Sequence, residues 1–174
     1  MPGTYQLATN DYANGVATDS SGNVYVTGGT KGGLDGNTSA GNTDLFVVKY
    51  NSSGTKQWTK QLGSSGLDSA NGIAIDSSGN VYVTGVTFGG LDWNTSAGAN
   101  DLFVVKYNSS GTKEWTEQLG SASSDYANGI ATDSSGNIYV TGGTYGGLDG
   151  NSKGDSDLFV VTYNYSGRKE WTKQ

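Results

Sequence analysis

The sequence predicts an all-β fold of three consecutive four-stranded antiparallel blades. A unit of 57 residues occurs three times, beginning at Asp11, Asp68 and Asp125, although the third copy is slightly shorter. Each unit contains short apolar segments separated by turns rich in Gly, Ser and Asn, and the apolar segments are apolar on both sides. These observations indicate that every repeat forms a small sheet whose two faces are both covered.

The composition favours a folded chain that is rich in turns. The 174 residues include 29 Gly, 11 Tyr, 4 Trp and 4 Phe, and only 15% of them are charged. Disordered chains usually combine a higher charge with few aromatic residues. No apolar run approaches the roughly 18 residues that suggest a membrane-spanning helix. The first ten residues lack the charged and apolar regions of a signal peptide, so we expect none in this sequence.

Two residue types are missing, and their absence excludes several kinds of site. The chain has no Cys and no His, which excludes disulfides, thiol nucleophiles, His-containing zinc sites and Ser-His catalytic pairs. Lys and Arg total 10 against 16 acidic residues, with no basic cluster. Nucleic-acid binding through the phosphates is therefore not expected.

The middle repeat illustrates the predicted strands. They span residues 72–76, 81–85, 101–107 and 113–119. Two Ser-Ser-Gly turns form hairpins, and a long polar loop follows the second strand. No segment has the apolar spacing of an amphipathic helix. The first two repeats differ at only 13 of 57 positions, so we expect the same strands in each.

The apolar strands indicate how the blades pack. Phe103, Val104 and Val105 are consecutive, as are Ile73, Ala74 and Ile75. A sheet buried on both faces needs another sheet on each side, and radial stacking of four-stranded sheets makes a β-propeller. A β-solenoid is the alternative, but its repeats are usually shorter and lack antiparallel hairpins.

Five sequence elements recur in the same order through the repeats. They are Ala-Asn-Gly-Ile-Ala, Asp-Ser-Ser-Gly-Asn, Val-Tyr-Val-Thr-Gly, Asp-Leu-Phe-Val-Val-Lys-Tyr-Asn and Trp-Thr-x-Gln-Leu-Gly. This pattern resembles the bacterial SBBP-type β-propeller repeat. The resemblance implies an extracellular or cell-surface propeller domain of mostly unassigned function, and it supplies no catalytic motif.

The number of blades predicts self-assembly. We divide the chain into an N-terminal strand segment (1–10) that closes a blade and three blades (11–67, 68–124 and 125–174). Propellers typically have four to eight blades, so we expect oligomerisation to complete the ring. A homodimer with six blades is the favoured assembly, and a trimer with nine blades or a filament are the alternatives. The predicted contact between copies, termed the seam, involves Thr4, Tyr5, Gln6, Leu7 and Trp171, because the N-terminal segment repeats part of the fourth strand.

The long loops carry the candidate ligand site. The loops 29–43, 86–100 and 143–156 differ mainly in their aromatic residues. Aromatic rings beside amides suit carbohydrate, so the predicted ligand-binding residues are Phe88, Trp93, Tyr145, Asn37, Asn94 and Asn151. The alternative is that these rings fold back over a blade or cover a subunit contact.

The same loops suggest a candidate calcium site, although no cofactor is expected. Oxygen-bearing side chains alternate in the first two copies, as in calcium-binding loops. The candidate ligands are Asp35, Asn37, Asp44, Asp92, Asn94 and Asp101. The third copy places Lys153 in the pattern, and Asp and Asn also cap turns through their own backbone.

The predicted function is that of a non-enzymatic, extracellular or cell-surface repeat protein with a structural or multivalent binding role. Three nearly identical copies leave no unique constellation for catalysis. A lectin with one weak site per blade is one alternative. A designed or recently amplified symmetric propeller without a ligand is another, and a carboxylate-based hydrolase is a third.

Overall fold

A computed structural model describes residues 10–150, 152 and 154–174 and contains three four-stranded antiparallel sheets. The first blade comprises β1 (Tyr12–Thr18), β2 (Val24–Thr30), β3 (Asp44–Tyr50) and β4 (Lys56–Leu62). The second comprises β5 (Asp68–Ile75), β6 (Val81–Thr87), β7 (Asp101–Tyr107) and β8 (Lys113–Leu119). The third comprises β9 (Asp125–Thr132), β10 (Ile138–Thr144), β11 (Asp157–Tyr163) and β12 (Lys169–Lys173).

The blades pack side by side through their first strands. Within every sheet the strand order follows the chain. Strand β1 contacts β5, and β5 in turn contacts β9, so these strands form the inner edge of the arc. The predicted propeller blades are therefore confirmed. In the described part of the chain, no helix is long and apolar enough to span a bilayer.

The central strand β7 is covered on both faces, as the sequence predicts. Phe103 and Val105 belong to the apolar cluster between the first two blades. Val104 points the other way and belongs to the cluster between the second and third blades. Alternate residues of a strand face opposite sides of the sheet. The continuous apolar run of β7 therefore contributes side chains to both blade interfaces.

The first strand of each blade begins earlier than predicted. Strand β5 begins at Asp68, whereas the sequence pattern suggests residue 72. The pairing with β6 shifts register between Ala70 and Gly72. This β-bulge at Asn71 interrupts the alternation of residue types, which hides the earlier part of the strand. The backbone approach beside the bulge is close, since a Cβ on Gly85 would overlap the carbonyl oxygen of Ser69.

The long loops contain short helical turns that the sequence does not predict. Single 3₁₀ turns occupy Leu34–Gly36 and Leu91–Trp93. Leu34 and Leu91 are buried under the loops, so each turn fixes its loop to the blade. We term the side of the molecule that carries these loops the loop face, and the opposite side, with the hairpin turns, the turn face.

Candidate functional site

The two end blades expose apolar side chains that are buried elsewhere. Leu158 on β11 is 73% exposed, whereas its counterparts Leu45 and Leu102 are 0% exposed. Leu45 and Leu102 pack against the blade that follows them in the chain. Leu158 faces the side on which a fourth blade would pack.

Each end face has the composition of an internal interface. The outward face of the third blade, termed the trailing face, carries Tyr139, Leu158, Val160 and Trp171. The outward face of the first blade, termed the leading face, carries Val24, Val26, Phe46 and Val48. Within the chain, the matching residues of neighbouring blades form the two inter-blade clusters. On the leading side, Val16 of β1 is 69% exposed, although Phe46 and Val48 are themselves buried.

The inner strands are linked by side-chain amides at their bulges. Asn14 Nδ2 donates to the carbonyl oxygen of Ala70 at 2.9 Å, and Asn71 Nδ2 donates to that of Ala127 at 2.9 Å. Asn128 is the third member of the series. It is exposed, and its amide makes no hydrogen bond with residues 10–150, 152 and 154–174. Asn71 lies just before the strand predicted at 72–76, and the sequence does not reveal these bonds.

Only one of the predicted seam residues is described. Thr4, Tyr5, Gln6 and Leu7 lie outside the described residues. Trp171 lies on the outer strand β12 and is exposed, whereas Trp58 and Trp115 are half-buried at the internal interfaces. The role of the seam residues stays a prediction.

Trp93 is the most unusual residue of the loop face. Its side chain is 100% exposed, and its φ of 70° lies in the left-handed region. The corresponding residues in the other blades are glycines, with φ values of 83° at Gly36 and 87° at Gly150. A bulky residue is strained in this conformation. The fold thus presents a tryptophan ring to solvent where a glycine would satisfy the backbone.

The other predicted ligand residues are anchored within their blades. Phe88 and Tyr145 are half-exposed, and the Tyr145 ring lies 6.3 Å from that of Tyr126. Asn37 and Asn94 use their amides to close the 3₁₀ turns, donating to carbonyl oxygens at 2.7 and 2.9 Å. Asn151 lies outside the described residues.

The predicted calcium ligands have partners in their own blades. Asp35 forms an ion pair with Lys56 at 2.5 Å, and Asp92 pairs with Lys113. Burial alone raises the pKa of Asp35, but the bonds from Lys56 and Thr59 outweigh it and leave the pKa below its ordinary value.

The remaining predicted calcium ligands are also engaged. Asp44 and Asp101 accept backbone and Gln side-chain hydrogen bonds through Oδ2, whereas their Oδ1 atoms are buried without a hydrogen-bond partner among the described residues. Asn37 and Asn94 close the turns described above. Within the described ranges, no three acidic residues cluster as a metal site. The calcium site stays a prediction.

The backbone at the start of β5 connects the first two blades beside two buried carboxyl groups. Asp44 and Asp68 are almost fully buried, and the Asp68 backbone donates to the carbonyl oxygen of Thr43 at 2.7 Å. Burial raises the pKa of Asp68, and the nearby Asp44 raises it further. The hydrogen bonds from Thr87 and Ser64 lower the pKa but do not offset this rise. Sequence reasoning treats Asp44 only as a loop ligand and does not identify this contact.

Two known proteins are similar in sequence to most of this chain. The chain is 31% identical over 170 residues to an uncharacterised WD repeat-containing protein, L264, of Acanthamoeba polyphaga mimivirus, a match that covers 80% of this chain and 12% of that protein. It is 29% identical over 147 residues to the regulatory protein FlaEY of Caulobacter vibrioides, covering 76% of this chain and 15% of FlaEY. This chain therefore spans a small part of the length of both relatives.

A solved structure and a repeat family also match. The structure is that of a luciferin-regenerating enzyme, with a TM-score of 0.46 and 13% identity over 91% of this chain and 45% of that one. The sequence profile of the SBBP β-propeller repeat matches three segments, 6–35, 57–92 and 114–149, one for each repeat. Together these segments cover more than half of the sequence, so the chain belongs to the SBBP β-propeller repeat family.

Proposed function

We propose that this β-propeller repeat protein is a non-enzymatic scaffold whose end faces bind further blades of the same kind. In the 174-residue polypeptide, a second copy is the partner that supplies them. The observation that carries the proposal is Leu158, which is 73% exposed where both of its counterparts are 0% exposed.

The two end faces are complementary because the chain already contains the same contact twice. The trailing faces of the first and second blades pack on Val81, Val83, Phe103 and Val105 and on their third-blade equivalents. The leading face carries Val24, Val26, Phe46 and Val48 at these positions, and Phe46 and Val48 are each only 6% exposed in the structure. Burying a leucine side chain contributes about 1.5–3 kcal/mol, so covering Leu158 alone favours association.

The head-to-tail contact determines the assembly. The trailing face of one copy binds the leading face of the next, so the contact closes into a ring or extends as a filament. Six is the only multiple of three among the usual four to eight blades. We therefore propose a two-copy ring with six blades, and a nine-bladed trimer or a filament is the alternative.

The proposed biological role is structural or multivalent binding at the cell surface or outside the cell. The family resemblance supports this location. The absence of His and Cys and the pairing of Asp35 and Asp92 with lysines support a role without catalysis. Repeated blades suit multivalent binding, since several weak sites act together.

Light scattering after size exclusion tests the assembly. At micromolar concentration we expect a particle mass that is a multiple of 18.0 kDa, with twice that mass for the favoured ring. Leu158→Glu should give a monomer with an unchanged circular dichroism spectrum. Phe88→Glu on the loop face is the matched control and should keep the assembled mass. A wild-type monomer at this concentration would refute the proposed self-association.

Carbohydrate binding is a second candidate function, supported by the exposure of Trp93 at a positive φ. Exposed aromatic rings stack on sugar C–H groups, and the neighbouring loops provide amides. A glycan array with the wild type and Trp93→Gly tests it. A glycan signal that the substitution removes is expected, and an absent or unaltered signal contradicts this function.

A further inference from the structure

The turn face carries a pocket between the first two blades that no predicted site includes. The pocket has a volume of about 190 Å³. Its walls are residues 19–21 of the first blade's turn and residues 76–79 of the second blade's turn, together with Tyr25, Lys49 and Ser109. Both blades belong to one chain, so this pocket does not depend on association with another copy.

Lys49 has few partners in this pocket. Its ammonium group donates to the carbonyl oxygen of Ser109 at 3.3 Å and lies 5.1 Å from the Tyr25 ring. Gln57 occupies the position that is an acid in the next blade. No acidic side chain in the described ranges forms an ion pair with Lys49.

The next interface shows what fills the equivalent space. There Lys106 is fully buried, and its ammonium group lies 2.9 Å from Glu114 and 3.1 Å from the centroid of the Tyr165 ring. Tyr165 is the counterpart of Ser109 in the hairpin turn of the third blade. Both interfaces have the same Asp-Ser-Ser-Gly turns, and both have a tyrosine beside the lysine, Tyr25 in the first and Tyr82 in the second. The two interfaces therefore differ around the lysine at two positions, Gln57 against Glu114 and Ser109 against Tyr165, and of these the Tyr165 ring is the group that covers the ammonium.

We propose that the pocket between the first two blades binds a neutral phenolic ring over the ammonium group of Lys49. The ligand would occupy the place that Tyr165 occupies in the next interface. A cation over an aromatic face is attracted by the quadrupole of the ring. The source of the ring is either a free phenol or a tyrosyl side chain in a turn of a partner protein, and both share this chemistry.

The charges of the pocket favour a neutral ligand over an acid. Asp19 and Asp76 line it with Lys49, so carboxylates outnumber ammonium groups. Both carboxylates already accept hydrogen bonds inside their own turns, as from Asn23 to Asp19 at 2.7 Å and from Asn80 to Asp76 at 2.7 Å. An anionic ligand would meet net repulsion, whereas a phenol can bond to the exposed serine hydroxyls of the same turns.

Chemical-shift titration with p-cresol tests the site. In the wild type we expect saturable shifts of the backbone amides of Ser78 and Gly79, on the pocket wall. 4-Methylcyclohexanol, which has a similar size but no aromatic face, should bind at least fivefold more weakly. Lys49→Gln should weaken p-cresol binding about fivefold. The absence of shifts up to the solubility limit of p-cresol, or equal binding of both alcohols, would overturn the proposal.

Two reciprocal substitutions provide the sharpest controls. Ser109→Tyr copies the turn of the third blade and should abolish the shifts at Ser78 and Gly79. Tyr165→Ser opens the equivalent space over Lys106 and should add shifts at Ser135 and Gly136. Retained binding in a folded Ser109→Tyr protein, or no second set of shifts in folded Tyr165→Ser, contradicts the assignment.

A peptide distinguishes the two sources of the ring. Acetyl-Asn-Tyr-Ser-Gly-amide reproduces the turn that carries Tyr165. At least tenfold tighter binding than p-cresol indicates a turn of a partner protein, and equal or weaker binding indicates a free phenol.

Discussion

The side-chain amide of Asn71 donates a hydrogen bond to the carbonyl oxygen of Ala127 in the next blade, across 2.9 Å. Asn14 makes the same bond to Ala70. Both amides reach from the bulge of one inner strand to the backbone of the next. The repetition indicates that Asn128 would use the carbonyl oxygen of Ala13 in another copy, in the ring proposed above.

Alanine at Asn71 and at Asn128 should have different effects. Asn71→Ala removes a bond within the chain and should lower the free energy of unfolding by about 1 kcal/mol. Asn128→Ala removes an amide that has no described partner and should leave the stability of the monomer unchanged. It should weaken self-association about fivefold for each contact between copies. Thermal melts of dilute protein and sedimentation equilibrium measure the two effects.

The reverse pattern would contradict this role of the inner strands. Unaltered association in Asn128→Ala would mean that the contact between copies lacks the amide bond. The Asn71→Ala protein is the matched control, since its substitution lies inside the chain and its trailing and leading faces are unchanged.

Gly120 should tolerate no side chain. A Cβ at this position would overlap the carboxyl group of Asp101, which is almost fully buried. Gly120→Ala should therefore destabilise the fold by about 1–3 kcal/mol, as expected for overpacking. A melting temperature lower by about 2–4 °C per kcal/mol would report it. Gly154→Ala is the control because its Cβ meets open space, and equal melting temperatures for the two variants would refute the packing argument.

The strands can be predicted from the sequence where residue types repeat with a simple period. Strands β7 and β8 coincide with the predicted segments 101–107 and 113–119. The run Phe103, Val104 and Val105 predicts two covered faces, which the structure confirms. The sequence does not predict the start of β5, because the bulge at Asn71 breaks the alternation that marks a strand.

The candidate sites depend on geometry that a single repeat does not contain. The contrast between Trp93 and its glycine counterparts is visible in the sequence, but its positive φ and full exposure are not. The replacement of Ser109 by Tyr165 is equally visible. The effect of this replacement on the pocket becomes visible only when Lys49 and Lys106 are placed across the blade interfaces. That placement depends on how neighbouring sheets stack.

Asp133 should make stability depend on acid pH. Hydrogen bonds from the side chain and backbone of Asn137, with further bonds from Tyr139 and Ser135, lower its pKa to about 2. A carboxyl whose folded pKa lies below its unfolded value stabilises the fold above the unfolded pKa. This contribution is lost as the pH falls through the folded pKa. Wild type should thus melt above Asp133→Asn at pH 7, and the difference should shrink as the pH falls below about 4 and be small at pH 2, where about half of the carboxyl groups are protonated.

Melts from pH 7 to pH 2 and an NMR titration of the Asp133 carboxyl carbon measure this effect. Ser134→Ala, in the same turn, is the control and should show a difference from wild type that does not vary with pH. A constant difference between wild type and Asp133→Asn would mean that the charge of the carboxylate does not contribute.

Trp93→Gly should stabilise the protein. Trp93 holds a φ of 70° with a fully exposed ring, so the substitution removes backbone strain and loses almost no buried surface. Residues in such conformations cost about 1–3 kcal/mol, and glycine in the unfolded chain offsets part of the gain by its greater freedom. We expect a net increase of about 1 kcal/mol in the free energy of unfolding, measured in urea. Gly36→Trp in the first blade is the reciprocal variant and should lose a similar amount, since Gly36 has a φ of 83° and open space around it. A destabilised Trp93→Gly protein would show that the ring makes contacts that outweigh the strain, and it would remove the argument that this residue is retained for binding.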